Sequence, residues 1–133
     1  YPQYNIWYTT SNDGLTYTEP QHLCLDTSGN EYRIGRPRVR RVQDGYEMRF
    51  TYDTLLKEYR TGIAFSKDGI NWIRDDNYIS ILPGPDDWDS DTVCYPAILT
   101  VEDREYMFYN GNNMGQTGVG VAVACPVDTN KIK

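Results

Sequence analysis

Histidine and cysteine are nearly missing from this chain of 133 residues: it has one His and three Cys. No Ser-His-Asp set is readable around His22, which reads as an exposed residue in a connection. Cys24, Cys94 and Cys125 are odd in number and match no zinc spacing. They read as three buried thiols, which suits a reducing compartment and favours the cytoplasm. Basic charge is short as well, with 13 Lys and Arg against 19 Asp and Glu and a net charge of −6. That sign argues against nucleic acid or an anionic membrane surface as a partner. No run of about 18 apolar residues offers a membrane-spanning helix. Long helical periodicities are lacking too. The sequence starts at Tyr1 rather than Met, so the lack of a leader pattern carries no information about export.

What is present is repetition. Ser11-Asn12-Asp13-Gly14-Leu15-Thr16-Tyr17 and Ser66-Lys67-Asp68-Gly69-Ile70-Asn71-Trp72 share one Ser-x-Asp-Gly-aliphatic-x-aromatic pattern, at an offset of 55 (66 − 11). Arg36-Pro37, Met48 and Gly62-Ile63-Ala64 return as Tyr95-Pro96, Met107 and Gly120-Val121-Ala122, at offsets of 59 (95 − 36 and 107 − 48) and 58 (120 − 62). Self-similarity at such a period marks a repeat architecture.

Within each repeat the hydrophobic period is close to 2. The pattern predicts strands at 4–10, 16–19, 38–42, 46–52, 59–66, 71–74, 97–101, 105–109 and 119–124. Residues 20–35 and 75–94 read as connections, 110–116 as a Gly/Asn loop, and 129–133 as a frayed tail. The expected fold is all-β: a partial β-propeller of four-stranded antiparallel blades. At roughly 57 residues per blade the chain holds about 2.3 blades. Residues 1–19 would end one blade, 36–74 make a full one and 95–125 most of a third. A ring needs about four to eight blades. The chain is therefore expected to belong to a longer protein or to share a ring with other copies, pairing its open sheet edges by self-association or with a missing half.

Blade geometry sorts the side chains. Strands alternate in direction, so the Ser-x-Asp-Gly turns fall on the far face, where Asp13 and Asp68 fold their own backbone. The ligand face receives Gly35-Arg36 and residues 52–59, 83–95 and 110–117. These carry Asp53, Glu58, Asp86, Asp87, Trp88, Asp89, Asp91, Tyr95, Asn110, Asn112 and Asn113. Carboxylates that hold hydroxyl pairs, beside an aromatic face for C–H bonds, are what a sugar site requires. Glycoside hydrolysis adds two carboxyls about 5–9 Å apart. In an extended segment Asp89 and Asp91 would point the same way, about 7 Å apart. The same acidic run also reads as a solvated loop, and Trp88 as a plug between blades. Arg36 would clamp a carboxylate or hydroxyl, or pair with an acid of a neighbouring blade. Arg60 reads as the ion-pair partner of Glu58, and Asn110-Gly111-Asn112 as first of all a turn. No EF-hand pattern is present, and neither metal nor cofactor is expected.

Gly35-Arg36-Pro37, Tyr59 to Ala64, Ser66 to Trp72, Trp88-Asp89-Ser90-Asp91, Cys94-Tyr95-Pro96 and Met107 to Asn112, taken together, resemble the C-terminal blades of the five-bladed β-propeller glycosidase superfamily. That superfamily includes arabinanases, β-xylosidases, invertase-like enzymes and mannoside phosphorylases. The resemblance covers roughly residues 4–125. It implies a carbohydrate ligand in a central funnel. It also implies a glycoside hydrolase or transglycosylase as the parent protein, with the first essential carboxylate in an N-terminal blade that is not in this sequence. Asp91 stands where the similar proteins more often carry Glu, and Arg36-Pro37 lacks the Asp of the invertase-like Arg-Asp-Pro. Asp89 and Asp91 are the expected catalytic pair. Arg36, Trp88, Tyr95, Asp53, Asn110 and Asn112 are the expected sugar contacts. The isolated chain is expected to be inactive. A non-catalytic sugar-binding or assembly module is the alternative.

Overall fold

The computed structural model describes residues 2–19, 21–78, 80–85 and 88–124. They form three successive antiparallel sheets. β1 (Ile6–Tyr8) pairs with β2 (His22–Leu25). β3 (Glu31–Val42), β4 (Gly45–Thr54), β5 (Arg60–Ser66) and β6 (Ile73–Arg74) form a four-stranded meander in chain order. β7 (Cys94–Val101), β8 (Arg104–Asn110) and β9 (Val119–Val123) form a three-stranded one. The all-β class is as the sequence predicts, and the sheet order is that of a partial β-propeller. No helix among the described residues is long and apolar enough to cross a membrane.

Two connections differ from expectation. Residues 16–19 form no strand; β1 takes β2 as its partner, with Ile6 opposite Leu25 and Trp7 opposite Leu23. His22 is therefore an exposed strand residue rather than part of a connection. β3 also begins at Glu31, seven residues before the predicted 38 (38 − 31). The reason is its alternation: Tyr32 and Ile34 are buried, whereas Glu31, Arg33 and Gly35 are only partly so.

The first two sheets share a core of Ile6, Leu25, Ile34, Met48, Phe50 and Ala64, with Cys24, Tyr52 and Trp72 packed against it. Each large apolar residue buried there contributes about 1.5–3 kcal/mol. Of the cysteines, Cys94 is buried and Cys24 only half-buried; Cys125 lies outside the described residues.

The repeat holds at the level of atoms. Phe50 on β4 faces Gly62 on β5, and Tyr109 on β8 faces Gly120 on β9. A Cβ on Gly62 would lie 2.3 Å from the Phe50 ring, and one on Gly120 2.4 Å from the Tyr109 ring. Only glycine leaves room for the aromatic side chain to lie across the neighbouring strand.

The two Ser-x-Asp-Gly turns match as closely. Asp13 Oδ1 accepts the N–H groups of Leu15 (2.8 Å) and Thr16 (2.7 Å), and Asp68 Oδ1 those of Ile70 (2.9 Å) and Asn71 (2.8 Å). These backbone donors, first among the causes, hold both carboxyls well below the usual range. Gly14 and Gly69 supply the left-handed φ of 74° and 79°. Asp13 and Asp68 thus fold their own turns.

Candidate functional site

Proline at the second position of Arg36-Pro37 and Tyr95-Pro96 cannot donate to a ladder, and the register of each inner strand slips there, between Gly35 and Arg38 and between Cys94 and Ala97. At each slip the residue before proline turns left-handed, with φ 56° at Arg36 and 58° at Tyr95. Neither residue is glycine, and the conformation costs roughly 1–2 kcal/mol at each. Lys57, Asn113 and Met114 are also left-handed. All five belong to the segments assigned to the ligand face; Glu102, in the β7–β8 turn, is the other non-glycine example. Such strain collects at functional sites.

Arg36 and Tyr95 open on one cavity of about 560 Å³. The Arg36 guanidinium carbon sits 5.1 Å from the centroid of the Tyr95 ring. Beneath them Asp53 is 2% exposed. Its Oδ2 accepts hydrogen bonds from the Tyr32 hydroxyl (2.5 Å) and from Arg33 Nε (2.9 Å), with Arg33 Nη2 at 2.7 Å. Burial, then the Asp53 carboxylate, raises the Tyr32 hydroxyl above its ordinary value. Arg33 also lies over the Tyr32 and Tyr59 rings, at 4.9 and 5.2 Å. Thr51 ties the sheets together, its hydroxyl accepting the Tyr95 N–H at 2.8 Å. Tyr4, Trp7 and Met114 complete the wall.

The other expected residues lie elsewhere. Asp89 and Asp91 are not in an extended strand and do not share one environment. Asp89 is buried and accepts the Tyr109 hydroxyl at 3.0 Å. Burial and then this bond push Tyr109 up to about 12. Asp91 is exposed; its N–H goes to Asn112 Oδ1 (2.8 Å), and its carbonyl accepts from Arg60 Nη1 (2.7 Å). The Glu58–Arg60 pair is longer, at 3.8 Å.

Trp88 stacks on Tyr109 at 5.7 Å and fits against Gly111 and Gly120, on the third sheet. Asn112 is buried, and its Oδ1 also takes the Thr92 N–H at 2.9 Å. Asn110 Nδ2 donates to the Met114 carbonyl at 2.9 Å, closing the turn Asn112–Gly115. Asp91 and Glu58 line a second hollow, of about 520 Å³, which shares Tyr59 and Met114 with the first. Asp86 and Asp87 lie outside the described residues.

Sequence reasoning thus brings Arg36, Asp53 and Tyr95 to one place and leaves Trp88 and Asp89 behind it. It missed Tyr32, Arg33 and Thr51. The repeat held a signal for the first two. Asp53 corresponds to Asn112 at the offset of 59 (112 − 53), and Asn112 secures the backbone of Asp91 and Thr92 just as Asp53 secures the side chains of Tyr32 and Arg33.

No family model matches the sequence. The uncharacterized protein Rv1502 of Mycobacterium tuberculosis is 34% identical over 119 residues, 89% of this chain and 39% of that protein. An uncharacterized protein from a second strain of that organism matches to the same extent. This chain thus spans 39% of the length of each of these curated relatives. Among solved structures, one described as a glycoside hydrolase superposes with a TM-score of 0.70 at 21% identity, over 89% of this chain and 35% of that one. Another, described as a complex of BT0996 and RGII, gives 0.70 at 20% identity, over 90% and 35%. What is shared is the fold. The chain has the all-β scaffold of a segment of a glycoside hydrolase.

Proposed function

We propose that this chain forms consecutive blades of a five-bladed propeller, with residues 1–19 ending one blade, 36–74 forming the next and 95–125 most of a third. Its cavity is then one wall of a carbohydrate site in the central funnel. The observation that carries this reading is the Arg36–Tyr95 pair. Two successive sheets each bend a pre-proline residue into a strained conformation, and both side chains meet over one cavity. Tyr95, Tyr4 and Trp7 offer aromatic faces for C–H bonds, and Arg36 and Asp53 offer polar groups for hydroxyls. The fold of the glycoside hydrolase neighbour supports the substrate class.

Asp53 is the carboxylate of the cavity among its described residues, and its Oδ2 is already occupied. Hydrolysis needs two carboxyls. The parent protein is therefore the enzyme, a glycoside hydrolase or transglycosylase, and the remaining acids come from outside this chain. Asp91 and Glu58, in the adjoining hollow, are the candidates on this side. Asp89 acts through Tyr109 as a positioning residue. Exposed Val119, Val121 and Val123 on β9 are then covered by the rest of the ring or by a second copy.

The test is a panel of aryl glycosides on the intact protein. Turnover that is lost with Arg36→Met or Asp91→Asn supports the enzyme. Saccharide binding without turnover favours the alternative, a binding module, for which the single carboxylate of the cavity speaks. Binding of no saccharide at all rejects both.

A further inference from the structure

The charge in the cavity does not balance. Arg33 and Asp53 neutralise each other at 2.7 Å. Arg36 has no carboxylate within ion-pair distance among the described residues, and its contact is the face of Tyr95. One positive charge is therefore left over, in a chain whose net charge is −6. The residue that carries it is held left-handed before a proline, a conformation costly to keep and without a folding purpose that a glycine would not serve better. On the same wall Asp53 Oδ1 is buried and accepts no hydrogen bond. The wall thus lacks one anion and one donor. A sugar acid carries both, in its carboxylate and its hydroxyls.

We propose that the saccharide taken by this cavity is acidic, with a carboxylate that Arg36 grips through its paired N–H edge while Tyr95 covers an apolar face of the ring. The guanidinium fork matches a planar carboxylate. One unpaired guanidinium balances one negative charge. A phosphate ester, at about −1.5 to −2, would leave excess negative charge in an already acidic protein. This inference rests on the carbohydrate reading above and narrows its substrate class.

The experiment titrates the chain, by amide chemical-shift changes, with methyl β-D-glucuronide and methyl α-D-galacturonide. The methyl ester of each serves as an isostere without charge, and acetate as the anion alone. We expect at least one acid to bind about tenfold more tightly than its ester. Added salt should erode that difference, and Arg36→Met should bring the acid down to the level of the ester. Arg36→Lys keeps the charge without the fork and should restore only part of the preference. Equal binding of acid and ester overturns the acidic assignment and leaves the carbohydrate reading in place. If neither acids nor esters bind, and neutral oligosaccharides also fail, the carbohydrate reading itself falls. Acetate binding as tightly as the acids makes the cavity an anion site without sugar recognition and overturns the proposal as well.

Discussion

The guanidinium of Arg36 lies against the ring of Tyr95, its carbon 5.1 Å from the centroid, and the two residues hold the same place in successive sheets. Each precedes a proline, each sits where the inner strand loses register, and each has a left-handed φ. A repeat that strains the same backbone position twice, with different side chains, has kept the geometry and varied the chemistry. One copy brings a cation to the cavity and the other an aromatic face.

The strain makes a stability prediction. At φ 56° a Cβ is penalised, so Arg36→Gly should be more stable than Arg36→Ala by about 0.5–1 kcal/mol, although glycine is the more flexible residue when unfolded. Urea denaturation of the two variants measures the difference. An alanine variant that is the more stable of the two would mean that Arg36 is not left-handed in solution.

Asp53→Asn removes a charge from a buried ion pair while keeping its shape. The loss should be about 3 kcal/mol, the low end for a broken buried pair, because the Arg33 side chain is still 23% exposed. Adding Arg33→Met to Asp53→Asn should recover part of that loss, giving a coupling energy by double-mutant cycle.

Gly120→Ala should destabilise by about 1–3 kcal/mol through overpacking, since the new methyl would stand 2.4 Å from the Tyr109 ring and 2.5 Å from Trp88. Trp88 fluorescence should shift to the red as the stack opens. Gly62→Ala should cost a similar amount and leave Trp88 emission unchanged, because its clash is with Phe50.

Acid should unfold the protein partly through Glu47. Burial pushes this carboxyl up, but Arg40 and Arg49 more than offset it, and it ends below its ordinary value of 4.5. A depressed carboxylate stabilises fully above its unfolded value, and that contribution is lost as pH falls through the folded one. The unfolding free energy should therefore be flat above 4.5 with respect to this group and decline below it. Glu47→Gln should be less stable at neutral pH and show a shallower acid limb in pH-resolved denaturation.

Cys94 is buried, and burial pushes its thiol up to about 11. At pH 8 it should resist a thiol-specific reagent in the native protein and react once the chain unfolds. Half-buried Cys24 should react before it. Site-resolved mass spectrometry separates the two.

The amino-acid order alone determined the repeat, and with it the sheets. Alternation placed most strands, Asp-Gly placed the turns, and the spacing of Ser66, Asp68 and Gly69 dictated a hydrogen-bonded loop that needs nothing from the rest of the molecule. Such features are local, and local features are legible. Gly62 and Gly120 were visible as repeat partners, but their purpose, to admit Phe50 and Tyr109 from the next strand, was not. The cavity could be narrowed to one face and no further. Which acids belong to it depended on distances between sheets: Asp89 turned inward to Tyr109, Asp91 outward beside Arg60, and Asp53 downward onto Tyr32 and Arg33. A carboxylate's role follows from the donors that reach it, and those donors come from other strands. Only the folded chain decides that.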